Sequence, residues 1–204
     1  MLPPRRFGAY NPANWYLLLG LLLLATSLWV PWLTAQRTTR IEKRAEHVCE
    51  LMNEAVRRLS DPFDPALLEH VLARLHALAS ARGVLLGDLE VVEPPLPDLL
   101  LLLRNKHYLF GLAESRPEPN LAVGRDTAPA REITAWPASE IGPGHCAFFH
   151  PEDAPRAYTR NLTANYHGTA AWPTPGSSHR SARGGGGDHP RSYRGSDDER
   201  WQVY

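Results

Sequence analysis

The chain has 204 residues, and its 22 Lys and Arg balance its 22 Asp and Glu, so the formal net charge at pH 7 is zero. A neutral chain has no overall field to attract nucleic acid or acidic substrates, and this argues against a nucleic-acid-binding function. Much of the 43% hydrophobic content precedes residue 36. The rest, with about 130 residues before a polar tail, suffices for one small domain.

A long uncharged segment lies near the N-terminus. No residue between Arg6 and Arg37 is charged, and residues 15–35 form an apolar block within that gap. A helix needs about 20 apolar residues to cross a bilayer. Aromatic residues, which favour membrane interfaces, stand at both ends of the block: Trp15, Tyr16, Trp29 and Trp32. The sequence therefore predicts a short polar tail over 1–14 and a single transmembrane helix over 15–35.

A cleaved signal peptide is the alternative interpretation of this segment. Arg5 and Arg6 would form its charged start, and residues 25–27 its small-residue cleavage site. The apolar block continues past that site and is longer than the 7 to 15 residues of a typical signal core, which favours a permanent anchor. Basic residues flank both ends, so the side of the membrane that holds the C-terminal domain stays open.

A helix over about 37–60 is predicted by apolar residues that recur at alternating steps of four and three. These residues are Ile41, Ala45, Val48, Met52, Ala55 and Leu59. The stripe is expected to pack on the core of its own domain. The alternative is a coiled-coil seam that joins this helix to a protein partner or to a second copy of the chain. The lipid bilayer is the other expected partner.

The same helix carries four carboxylates spaced four residues apart: Glu42, Glu46, Glu50 and Glu54. Side chains at this spacing stack along one side of a helix. A docking strip for a basic partner and a metal site are both conceivable, but no Glu-x-x-His pair accompanies the file. The prediction is a solvated helix face.

A second helix over 65–82 begins after Asp64, a suitable N-cap, and ends at Gly83. Hairpins are predicted at about 99–113 and 145–160, with one more strand at 132–136 between them. Together these elements predict an α+β domain over 36–171, in which the helices cover a small antiparallel sheet. From residue 172 onward the chain is rich in Gly, Ser and Arg, and a disordered tail over 172–204 is predicted.

Residues of metal-ligand type cluster at His145, Cys146 and His150. In a strand, Cys146 and His150 would share one face while His145 points to the other, so neither face offers the four ligands of a closed zinc site. No catalytic, cofactor-binding or metal-binding residue is therefore assigned. A membrane-bound hydrolase or metal-dependent enzyme that uses this segment is the alternative function. Whether Cys49 and Cys146 form a disulfide is left open.

A glycosylation sequon at residues 161–163 would matter only in a glycosylating compartment. The order of the predicted elements resembles the plan of pilins and pseudopilins, in which an apolar N-terminal helix runs into a helix that packs on an antiparallel sheet. The signature of that family differs here: the fifth residue after Gly8 is Ala13 rather than glutamate, and there is no Gly-Phe pair. The resemblance implies a single-pass, non-enzymatic protein of assembly, secretion or scaffolding.

Overall fold

The computed structural model describes residues 12–57, 65–83, 89–93, 95–115, 130–152, 155–179 and 192–204. These residues form two helices and an antiparallel sheet of eight strands, which places the protein in the predicted α+β class. The chain divides into two units, Met1–Arg37 and Thr38–Tyr204.

The first unit is described from the start of helix α1, which covers Pro12–Arg57 and contains Pro31. Every side chain from residue 14 to residue 35 is exposed. The hydroxyls of Thr26, Ser27 and Thr34 each donate to the carbonyl three residues earlier, at 2.8 to 2.9 Å, so they need no outside partner. By length and composition this is one helix that can cross a membrane, although a signal sequence meets the same test.

In the second unit, the rest of α1 and helix α2, Pro65–Ala81, pack against the sheet. The stripe residues Ile41, Ala45, Val48, Met52 and Ala55 are all buried in this core, and Leu59 lies outside the described residues. From α2, Val71, Leu75 and Ala79 are buried in the same cluster. Because its own domain covers the stripe, it is not available as a coiled-coil seam.

The strands follow one another along the chain and across most of the sheet. They are β1 Glu90–Val91, β2 Leu99–Arg104, β3 Tyr108–Ser115, β4 Ala130–Pro137, β5 Ala147–Pro151, β6 Ala157–Thr159, β7 Ser192–Arg194 and β8 Arg200–Val203. Their order is β1-β2-β3-β4-β5-β6-β8-β7, and all pairs are antiparallel. The pairs β2–β3 and β5–β6 lie where the two hairpins were predicted. The sheet is larger than expected because C-terminal residues extend it.

The sheet is buried on both faces. Along β2, Leu101 and Leu103 belong to the core under the helices, whereas Leu102 packs on the opposite face with Leu109 and Trp136. This follows from the two-residue side-chain period of a strand. We call the two sides the helix face and the loop face, because residues of 160–179 and 192–204 cover the second one.

The prediction of a disordered tail is wrong for residues 192–204. They form β7 and β8, and Trp201 is completely buried on the loop face. Residues 172–179 are also described, with Ser177 and Ser178 buried, and residues 180–191 lie outside the described part of the chain. Trp201 and Tyr193 supply the apolar surface that packs this segment on the loop face, although the average composition of the segment is polar.

Polar groups hold the C-terminal strands to the preceding loop. The buried carboxylate of Glu199 accepts hydrogen bonds from the Thr159 hydroxyl at 2.7 Å and from the backbone amides of Thr163 and Ala164 at 2.9 and 2.8 Å. Burial alone would raise the pKa of Glu199, but these hydrogen bonds outweigh it and the pKa is lowered. In the same loop, the Asn161 amide donates to the Tyr166 carbonyl at 2.8 Å and accepts from its N–H at 2.6 Å.

Candidate functional site

A groove of about 320 Å³ lies in the second unit between α1 and the helix face of the sheet. We call it the α1 groove. It is lined by Thr39, Glu42, Lys43, Glu46, Cys146, Phe148, Tyr158 and Tyr204. The groove brings residues 39–46 of α1 together with Tyr204 and with Cys146, which belongs to the candidate metal or catalytic segment of the sequence.

Three aromatic side chains, Phe148, Tyr158 and Tyr204, line the α1 groove. The rings of Tyr158 and Tyr204 lie 5.6 Å apart, and the Tyr158 hydroxyl donates to Gln202 Oε1 at 2.5 Å. The Phe148 ring lies 6.1 Å from that of Tyr108 in the core beneath. These rings give the groove a surface that suits a flat or cationic group.

One rim of the α1 groove is acidic. Glu42 Oε1 accepts from the backbone amides of His145 and Cys146 at 3.2 and 3.4 Å, which fixes the carboxylate beside the start of β5. Burial raises the pKa of Tyr204, and the neighbouring Glu46 carboxylate raises it further. Lys43 is the one cationic side chain in the lining.

The file of four glutamates, for which a solvated face was predicted, is half-buried. Glu50 pairs with His47 at 3.0 Å and with Arg156, and Glu54 pairs with Arg82. Within the described part of the chain, Glu42 and Glu46 make no ion pair within 4 Å. The two glutamates without an ion pair in this part of the chain, Glu42 and Glu46, are thus the two that line the α1 groove.

The three residues of the candidate metal or catalytic segment have separate environments. His145 is exposed, Cys146 is half-buried in the α1 groove, and His150 is fully buried, where its Nε2 lies 2.9 Å from the Tyr204 hydroxyl. Cys146 and His150 lie on the helix face, as the strand alternation predicts. Among the described residues, no three His, Cys, Asp or Glu side chains are placed to hold a metal ion.

The pKa shifts in this segment oppose nucleophilic chemistry. Burial, together with the Glu42 carboxylate, raises the pKa of the Cys146 thiol to about 12. Burial and then Arg156 lower the pKa of His150 to about 3. At neutral pH the thiol is therefore protonated and the imidazole is neutral, whereas an activated cysteine needs a depressed thiol pKa.

Both cysteines are free thiols. Cys49 lies on α1 and is completely buried, and burial raises its pKa, with further contributions from Glu46 and Glu50. The sequence left open whether Cys49 and Cys146 form a disulfide, and the structure shows them as two separate thiols.

A second cavity, of about 490 Å³, lies at the other edge of the sheet. It is lined by Val91, Val92, Glu93, Pro95, Leu100, Leu101 and Leu102. Among these lining residues only Glu93 is ionisable, so the cavity brings together no set of chemical groups. The α1 groove is the better candidate for a functional surface.

Comparison with models of known protein families, with curated proteins and with solved structures finds no match. Cys146 and the glutamate file were identified from the sequence, whereas the aromatic residues of the α1 groove were missed. Alternation in Arg156–Arg160 would have placed Tyr158 on the helix face, whereas Tyr204 belonged to the segment interpreted as disordered.

Proposed function

We propose that this protein is a single-pass membrane-anchored, non-enzymatic module in which residues 15–35 tether an α+β domain that serves assembly, secretion or scaffolding. The pilin and pseudopilin plan has this organisation. The observation that carries the proposal is the contrast within α1: residues 14–35 are exposed on every side, and the residues from Ile41 onward contribute a buried stripe to a domain core.

The exposed stretch has a strong physical reason to enter lipid. Fourteen large hydrophobic side chains between Trp15 and Leu33 are at least half exposed. Since burying one such side chain is worth about 1.5–3 kcal/mol, the transfer of this surface from water is favourable by tens of kcal/mol. The charge-free interval and the aromatic ends support a span more than a soluble helix.

Membrane anchoring is tested with two double substitutions in the full chain. Leu19→Arg/Leu23→Arg places two charges in the middle of the proposed span, at a cost of about 2.5–3.5 kcal/mol each. Ile141→Arg/Leu162→Arg is the matched control, because these residues are 95% and 81% exposed in the second unit. We expect the two charges to lower the fraction of the first variant that inserts and resists carbonate washing, and we expect the wild type and the control to stay in the pellet.

The mature N-terminus separates an anchor from a signal peptide. Mass spectrometry of the membrane-bound protein should detect residues 15–35 in the mature chain. A mature chain that begins near Leu28 and is extracted by carbonate would refute the anchor. Cysteine labelling of intact cells should use Ile141→Cys to report the side of the membrane, because Cys49 is completely buried.

The assembly role predicts a stable neighbour. Crosslinking of the full chain in its native membrane should recover a homo-oligomer or a defined protein partner. An exclusively monomeric population in that membrane would contradict an assembly or scaffolding role even if the anchor is intact.

A further inference from the structure

The charged residues at the start of the second unit are sorted by sign around α1. A helix turns by about 100° per residue, so residues four apart lie about 40° apart and residues two apart lie on nearly opposite sides. Arg40 and Arg44 therefore share one flank of the helix, and Glu42 and Glu46 share the other. The buried residues Ile41 and Ala45 lie between the two flanks.

None of these four charges forms an ion pair within 4 Å among the described residues. Arg40 and Arg44 are exposed, and neither forms an ion pair within 4 Å there. Glu42 and Glu46 are half-buried in the lining of the α1 groove. Glu42 accepts hydrogen bonds from two backbone amides and Glu46 interacts with the Tyr204 hydroxyl, but no cation neutralises either carboxylate within 4 Å in this part of the chain. The domain thus presents a basic flank and an acidic groove on different sides of one helix.

We propose that the α1 groove of one copy receives the basic flank, Arg40 and Arg44, of a second copy of this chain. This inference rests on the proposed function, because the shared anchor orients the two copies. The occupant of the groove is thus the basic flank of a neighbouring copy. The apolar stripe of α1 does not form this contact, because it is buried in the core of its own domain.

The register of the charges suits parallel neighbours. Two copies held by the same apolar stretch present equivalent residues at the same distance from the bilayer. Arg40 and Glu42, like Arg44 and Glu46, are offset by two residues, which corresponds to about 3 Å along the helix axis. Both ion pairs can therefore form between side-by-side copies without one copy sliding along the other.

The chemistry of the groove suits a guanidinium group. Arginine is planar, pairs with carboxylates through several donors and stacks on aromatic rings. The groove is lined both by the carboxylates of Glu42 and Glu46 and by three aromatic rings. Lys43 opposes an incoming cation, but the two carboxylates outnumber it.

The two contact surfaces differ, so the contact is heterologous. A pair keeps one unused groove on one copy and one unused basic flank on the other, and further copies can add at both. The expected product is an open row of copies and not a closed dimer.

The test uses neutralised full-length chains in membranes, probed with an amine-reactive crosslinker. Arg40→Gln/Arg44→Gln removes the basic flank. Glu42→Gln/Glu46→Gln removes the acidic charge and keeps an oxygen that can accept from the amides of residues 145 and 146. Arg104→Gln/Arg194→Gln neutralises two exposed arginines elsewhere and is the matched control.

We expect the wild type and the control to give a ladder that extends beyond the dimer. The crosslinked fraction of each neutralised variant alone should be about tenfold lower than that of the wild type, which is the factor expected for two modest ion pairs. Salt near 1 M should weaken the wild-type ladder, because the screening length falls to about 3 Å. Mixing the two neutralised variants, each with its own tag, should restore heterodimers only.

Homodimers that persist at the wild-type level after either neutralisation, or a wild type that stops at the dimer, would overturn the inference. A wild type that resists carbonate but gives no ladder would overturn the inference while leaving the anchor intact. Extraction of the wild type by carbonate would overturn the anchor, and the parallel pairing would fail with it. Unfolding curves that match the wild type would show that the variants are folded.

Discussion

The two faces of the sheet are buried to a similar degree by different means. On the helix face, α1 and α2 cover residues such as Leu103 and Phe110 with regularly spaced apolar side chains. On the loop face, Leu102 and Phe149 belong to a cluster with Tyr166 of an irregular loop and with Trp201 of β8, a strand of the same sheet. Leu102 and Leu103 are adjacent in β2, and each is fully buried. Equal burial can therefore arise from a regular helix or from a few well-placed residues in a polar segment.

The difference lies in what holds each cover in place. A helix satisfies its own backbone hydrogen bonds and needs only an apolar stripe. The cover of the loop face needs specific polar anchors, among them Glu199 and the Trp136 indole, which donates to the Gly168 carbonyl at 2.8 Å. We therefore expect the loop face to depend on single residues more strongly than the helix face does.

Trp201→Ala should have the largest effect, because it removes the largest buried side chain of the C-terminal cover. We expect a loss of about 3–5 kcal/mol in the free energy of unfolding. Urea unfolding of the detergent-solubilised chain, followed by circular dichroism, measures it. Trp29→Ala, at a tryptophan that is 66% exposed, is the control and should change little. A loss below about 1 kcal/mol for Trp201→Ala would mean that the tail does not pack as described.

Leu102→Ala and Leu103→Ala compare the two faces directly, since both side chains have no exposed surface. Each substitution should cost about 2–5 kcal/mol, the usual range for a buried leucine. The same unfolding measurement applies to both. If Leu102→Ala proved much milder than Leu103→Ala, the loop face would be a weaker core than its burial indicates.

Glu199→Ala leaves the amides of Thr163 and Ala164 without their acceptor. The expected loss is about 1–3 kcal/mol at neutral pH. Since its pKa is lowered on folding, the Glu199 contribution is present above the ordinary value of about 4.5 and is lost as the pH falls through the folded value. Glu140→Ala, at an exposed carboxylate, is the control. Equal losses in the two variants would contradict the anchoring role.

At neutral pH, changing His150 should give the smallest effect, because its contribution to stability appears as a dependence on acidic pH. Its pKa is 6.5 when unfolded and about 3 when folded, so below pH 6.5 the unfolded chain takes up a proton that the folded chain refuses. Stability should therefore fall as the pH drops from 6.5, with a limiting slope of about 1.4 kcal/mol per pH unit. His150→Gln should remove this slope, and His145→Gln, at an exposed histidine, should retain it.

Much of the helix face was predictable from local patterns. The stripe from Ile41 to Ala55 and the apolar face of α2 are properties of contiguous residues, and both are buried in the structure. The α+β class followed from these helices and from the two predicted hairpins with a strand between them, which correspond to β2 to β6. Local periodicity is sufficient when the covering element is a regular helix or strand.

The loop face and the α1 groove depend on contacts between distant residues. Glu42 meets Cys146 across 104 positions, and Tyr204 meets His150 across 54. Composition averaged over the C-terminal segment hid Trp201 among glycines and charges. The alternation of Trp201 and Val203 was the available local signal, but β8 becomes a strand only because β6 and β7 pair with it.

The hydrogen bonds between Asn161 and Tyr166 affect when Asn161 can be glycosylated. A glycan at the 161–163 sequon would be attached to the Asn161 amide nitrogen, which in the folded domain already donates to the Tyr166 carbonyl. A transferase can use that nitrogen only on a chain whose loop has not yet closed. In a glycosylating host, the fraction of chains that carry a glycan would therefore depend on the rate of glycosylation relative to the rate of folding.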